Sequence, residues 1–172
     1  MGEYKLSGFW AYLRKLENAE FVAYSVISFF VPMLIKHPQV LVGSLVNMVL
    51  ILSALNLSGK KLIPVIVLPS LGALAGGFLF GDLTIYLIYL VPFIWLGNAA
   101  LVAIFKYLKL NSSLRLGIGA AAKTALLFGV TFLLVSLSVV PQMFLAAMGA
   151  MQLVTAMTGG LLAFTVQELK SR

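Results

Sequence analysis

Six long apolar runs dominate this 172-residue chain, separated by gaps that alternate between basic and nearly uncharged. They cover about residues 19–35, 39–57, 62–80, 83–107, 116–140 and 141–166. A helix crosses a bilayer with about 20 apolar residues, in a range of about 17–25, and each run meets that length. None shows the strict alternation of an outer-membrane barrel strand. The pattern predicts an all-α, polytopic membrane protein, with six transmembrane helices in a compact bundle. Ahead of them, Phe9, Leu13 and Leu16 share a face with Trp10 beside it, and Arg14, Lys15 and Glu17 take the other side. With Ser7 as a cap, this predicts a short N-terminal interfacial helix; a plain cytoplasmic tail is the alternative. The expected layout is an N-terminal helix over 1–18, a membrane domain over 19–167 and a cytoplasmic tail over 168–172.

The gaps orient the bundle. Ten of the twelve cations fall on one side: Lys5, Arg14 and Lys15; Lys60 and Lys61; Lys106, Lys109 and Arg115; Lys170 and Arg172. The other side has Lys36, near His37, and the acidic Asp82. Cytoplasmic loops carry the excess of Lys and Arg, so both termini are expected in the cytoplasm and the chain in the cell (inner) membrane. The outer loops are too short for a folded domain.

Composition agrees and excludes other classes. The chain is 62% hydrophobic and 10% charged, against about 45–50% and about 25% in soluble domains. Its mean hydropathy is +1.08. The net charge of +7 does not mark a nucleic-acid binder, because the cations sit at segment ends and form no stripe with interleaved aromatics. With no cysteine and one histidine, thiolate catalysis, zinc–sulfur sites and protein-ligated iron–sulfur clusters are excluded. No phosphate loop, HExxH or GxSxG is present. No catalytic residue, metal site or cofactor is expected.

Small residues mark where helices approach: Ala19 and Ala23, the run Gly72 to Gly77 with its GxxxG, Ala99 and Ala103, Gly117 to Ala122, then Ala146, Ala150, Gly159, Gly160 and Ala163. Lipid offers no hydrophobic drive between helices, so close backbone contact supplies it. Packing within one bundle accounts for most of these; a partner-binding face is the sharper alternative for one or two. Pro32, Pro64, Pro69 and Pro92 each remove an intrahelical hydrogen bond. Broken helices near mid-membrane often line binding cavities.

Polar groups inside the spans carry the candidate chemistry. Lys123 lies within the fifth run, where a lysine costs about 2.5–3.5 kcal/mol near the bilayer centre on insertion scales. It must either snorkel or find partners. Asn47 and Asn98 lie at similar depth, forming an inner polar cluster with it, and Glu20 is the nearest acid. An anionic ligand is a further option. Toward the outside, Gln39, Tyr89, Trp95, Gln142, Gln152 and Thr155 have the composition of a small-molecule pocket, with aromatic walls and a few oriented amides. An interfacial aromatic belt is the competing explanation for the tyrosines.

The segment Ala19-Glu20-Phe21-Val22-Ala23 resembles the alanine-x-x-x-alanine that S components of energy-coupling-factor transporters carry on their first helix. Six short-looped helices with both ends inside are similar to that family along nearly the whole chain. The resemblance implies a substrate-capture subunit for a micronutrient, with its pocket in the outer half. It also implies a T component, contacted through Ala19 and Ala23, and two ATPases as partners. The stretches Pro38 to Asn47 and Gln152 to Ala156 are also similar to uncharacterised microbial membrane proteins, some loosely labelled iron hydrogenase; zero cysteines make that label chemically untenable here. Two other functions compete with capture: a stand-alone carrier in which Lys123 is the switching group, and a structural subunit of a larger membrane complex.

Overall fold

The computed structural model describes residues 2–35, 37–77 and 79–172, with side chains from Tyr12 onward. Among the described residues seven α-helices follow in order: α1 (Gly2–Leu34), α2 (Gln39–Asn56), α3 (Leu62–Gly76), α4 (Leu87–Tyr107), α5 (Ser112–Ser136), α6 (Met143–Met148) and α7 (Ala150–Ser171). Single 3₁₀ turns at Gly59–Lys61 and Gly81–Tyr86 lead into α3 and α4. No strand occurs among the described residues.

Five segments are long and apolar enough to cross a membrane: Gln39–Asn56, Gly59–Gly76, Gly81–Tyr107, Ser112–Ser136 and Met143–Ser171. The protein is therefore a helical membrane protein by length and composition. The remaining expected span, on α1, is not among these segments. Its apolar stretch is interrupted by Glu20, Tyr24, Ser25 and Ser28. Nor does a separate N-terminal helix form. α1 runs unbroken from Gly2 to Leu34, so Ser7 lies inside it and not at a helix start. The side chains of Phe9 and Trp10, and the outer-side Lys36, lie outside the described residues.

Two other expected spans end differently. The third stops at Gly76 because Gly77 adopts φ 66°, a left-handed cap whose N–H reaches Ala73 O at 3.2 Å. The sixth is two helices, with the chain breaking at Gly149 (φ −103°, ψ −105°) between α6 and α7.

α2 is central, touching α1, α3, α4 and α7. α3 packs on α1, α5 on α4, and α7 closes against α2 and α5. Small residues set these contacts. A Cβ at Gly72 or Gly76 would stand 2.1 Å from Phe29 O or 2.3 Å from Met33 O, so α3 lies directly on the α1 backbone. A Cβ at Gly159 would stand 2.5 Å from Ser44 O, and one at Gly160 2.2 Å from Leu116 Cδ1.

The two ends of the bundle differ. At the end holding the termini, the Glu17 carboxylate accepts from Ser58 Oγ at 2.7 Å and pairs with Lys61 at 3.1 Å. Lys170 pairs with Glu20 and donates to Asn56 Oδ1, and Asn56 Nδ2 donates to Tyr24 and Gln167. Below these, Val49, Leu50, Leu101, Val102 and Phe105 form a sealed apolar cluster. At the other end, Phe80 packs on Phe144 with ring centroids 4.9 Å apart.

Candidate functional site

Buried polar side chains from four helices meet halfway along the bundle. Lys123 sits near the middle of the 25-residue α5, roughly 17 Å from Ser112 at about 1.5 Å per residue. It is 3% exposed, so it does not snorkel. Its stem passes α4 at Gly97, where a Cβ would lie 3.3 Å from Lys123 Cγ. Any larger side chain there would press on that stem. The ammonium then donates to Asn47 Oδ1 on α2 at 2.6 Å.

Asn47 is itself fixed. Its Nδ2 donates to Gly43 O at 2.9 Å and to Thr155 Oγ1 on α7 at 3.2 Å. The Thr155 hydroxyl in turn donates to Gln152 O at 3.2 Å. The α2–α7 approach that permits this depends on Gly43, whose Cβ would meet Thr155 Cγ2 at 2.8 Å. Lys123, Asn47 and Thr155 thus form one chain of hydrogen bonds across three helices. Glu20, the one acid offered by the sequence, is held by Lys170 instead. Among the described residues, the Lys123 ammonium has this single neutral partner and no carboxylate.

Asn98 anchors a different contact. Its Nδ2 donates to Ile66 O on α3 at 3.0 Å, while its Oδ1 is buried with no partner among the described residues. One turn before it, Trp95 Nε1 donates to Ser70 Oγ at 2.7 Å. Both bonds land beside Pro69, which has no N–H to continue the α3 ladder. α4 therefore braces α3 at its proline.

These groups border one cavity of about 110 Å³. It begins at the end opposite the termini, between Pro32, Gln39, Leu79 and Phe80, and it reaches down to Asn47, Asn98 and Lys123. Gln39 Nε2 donates to Leu79 O at 2.7 Å, tying the start of α2 to the α3–α4 connection beside the mouth. Met148, Gln152 and Thr155 border the cavity where α6 gives way to α7. The break at Gly149 is what brings Met148 and Gln152 to the same wall. Most of the lining is apolar, including Leu87 and Ile94.

The structure joins what the sequence analysis separates. Gln39, Gln152 and Thr155 of the outer set share this cavity with Asn47, Asn98 and Lys123 of the inner cluster. Trp95 lies behind the wall and positions Ser70, which does line it. Tyr89 is 52% exposed on the outer face of α4 and takes no part. Gln142 stands with Tyr86 and Pro141 in a separate open recess. Ala19 and Ala23 are exposed on α1, away from the bundle interior. Ser70 and Gly97 were not singled out by the sequence. A glycine one residue before a mid-span asparagine was the available signal for the second.

No protein-family model, no curated protein and no solved structure matches this chain.

Proposed function

We propose that the chain is the membrane-embedded capture subunit of a micronutrient uptake transporter. It binds a small solute from the outer side and depends on a T component and ATPases to move it. The cavity carries this reading. It runs from Pro32, Gln39 and Phe80 toward one end of the bundle to Asn47, Asn98 and Lys123 halfway down, and the apolar cluster around Leu50 and Phe105 packs the bundle beyond that point. A chamber that ends halfway through the bundle holds a solute without conducting it. The packed end is also the basic end, with Lys60, Lys61, Lys106, Lys109, Arg115 and Lys170, which supports a cytoplasmic position for it under the positive-inside rule. The outward Ala19 and Ala23 on α1 leave a small-residue face for a helical T component.

Purified protein in lipid nanodiscs is expected to retain a solute without ATP, detected by native mass spectrometry. In liposomes, uptake is expected only when the T component and ATPases are reconstituted with it. Uptake by the chain alone would overturn the capture reading. It would favour a stand-alone carrier, for which the specific support is Lys123, a buried cation on a neutral partner. In that case Lys123→Met is expected to abolish the uptake.

A further inference from the structure

We infer that the cavity selects a short carboxylate that also carries a hydrogen-bond donor, with Lys123 taking the carboxylate and Asn98 Oδ1 accepting from the donor. This rests on the capture reading and names its substrate class.

The charge argument comes first. An ammonium has three donors, and Lys123 uses one, on Asn47 Oδ1. Burying a cation without an opposite charge is costly unless something compensates it. Lys123 borders the cavity, so an anion there would receive its remaining N–H groups at short range. The first turns of α7 border the same space through Met151, Gln152 and Thr155. The N-terminal end of a helix carries partial positive charge, and half-helix ends of this kind face anionic groups in membrane carriers. The cavity thus presents one basic side chain beside the start of a helix, and no acid lines it. That composition rejects cations and suits a single negative charge.

The second polar feature is specific. Asn98 is 1% exposed and its Nδ2 is committed to Ile66 O, while Oδ1 stands unpaired. A buried acceptor left without a donor costs about 1–3 kcal/mol. A hydroxyl or amine on the ligand would satisfy it. Size then limits the choice. An apolar cavity of about 150 Å³ takes benzene, with six heavy atoms, so about 110 Å³ limits the ligand to no more than about six. Leu87, Ile94 and Met148 offer a wall for its carbon end. Short hydroxycarboxylates meet all three conditions.

The test uses the full chain in nanodiscs, with binding measured by calorimetry for four probes: lactate, propionate, lactamide and chloride. Lactate is expected to bind best. Propionate, which lacks the hydroxyl, is expected to bind roughly threefold to tenfold more weakly, the worth of one hydrogen bond. Lactamide, which lacks the charge, and chloride, which lacks the carbon skeleton, are expected to bind at least a hundredfold more weakly. Lys123→Met is expected to abolish lactate binding. Asn98→Ala is expected to lower lactate to the affinity of propionate and leave propionate unchanged, which a merely misfolded variant would not do. Lactamide binding as tightly as lactate would overturn the anion assignment while leaving solute capture standing. Propionate equal to lactate would overturn the role of Asn98, and chloride alone binding would overturn the carboxylate. If no probe binds but a different solute co-purifies, the substrate class falls and capture survives. If nothing binds or co-purifies, both fall.

Discussion

Lys123 is held by a neutral amide where an isolated cation is most expensive. One hydrogen bond to Asn47 Oδ1 does not offset the roughly 2.5–3.5 kcal/mol that a lysine costs at the bilayer centre. Replacing a whole buried ion pair with apolar side chains of similar volume is often neutral or stabilising, and Lys123 has no carboxylate partner among the described residues to leave behind. Lys123→Met is therefore expected to keep or raise the thermal midpoint of the purified protein in detergent, read from unfolding scans without ligand. A clear drop would mean that the lysine serves the fold. Glu17 is the opposite case. Hydrogen bonds from Ser58, then the Lys61 ammonium, hold its carboxyl below the ordinary carboxylate range. A depressed carboxylate stabilises the fold above its unfolded pKa, and that contribution disappears as pH falls through the folded value. Acidification through and below the usual carboxylate range is expected to lower the midpoint, and Glu17→Gln is expected to flatten part of that dependence. Partial exposure of the pair keeps the effect small. Lys123 was legible as an anomaly from the sequence because a charge inside an apolar run has few explanations. Its partner was not, since choosing Asn47 over Glu20 requires knowing which faces of α2 and α5 meet.

Helix contacts in this bundle depend on missing side chains. Gly72 and Gly76 put α3 directly against the carbonyls of Phe29 and Met33 on α1. A Cβ there meets backbone, which cannot rotate away, so Gly72→Ala is expected to separate α1 from α3. The loss is expected to be about 1–3 kcal/mol, the range for overpacking a well-packed contact. The check is the thermal midpoint together with loss of a crosslink engineered between α1 and α3. Gly117 and Gly129 have open space around the position of a Cβ, so alanine there is expected to change little. The GxxxG in α3 was readable because its spacing itself describes one helix face. The breaks were harder to find. Gly77 and Gly149 both end helices, yet each lies in an apolar run that hydropathy treats as continuous. The length of α1 was hidden for a related reason. A polar, aromatic start followed by a weakly apolar run reads as two pieces, while local backbone preference favours helix across both.

At the scale of the whole molecule, one end is basic and tied by ion pairs, and the other opens into the cavity. The absence of cysteine makes this arrangement simple to check, because any introduced thiol is the only one present. Cysteines replacing Ser58 and Ser171 are expected to be shielded from impermeant maleimide in intact cells, and one replacing Asp82 is expected to react. Labelling of Ser171→Cys from outside would reverse the orientation and the direction of capture. Three residues of the outer set, Gln39, Gln152 and Thr155, border the same chamber as the inner cluster. Depth along a helix can be estimated from residue counts, but the lateral approach of α2, α4, α5 and α7 depends on glycine contacts that counts do not show. The dimensions of α1 carry a last consequence. At about 1.5 Å per residue its 33 residues extend roughly 50 Å, well beyond a hydrocarbon layer of about 30 Å. Both termini lie at the basic end of the bundle, so the N-terminal turns of α1 extend past that end. Pro32, near the far tip of this same rod, forms part of the chamber's rim. One continuous helix therefore joins the projecting N-terminal segment to the chamber wall.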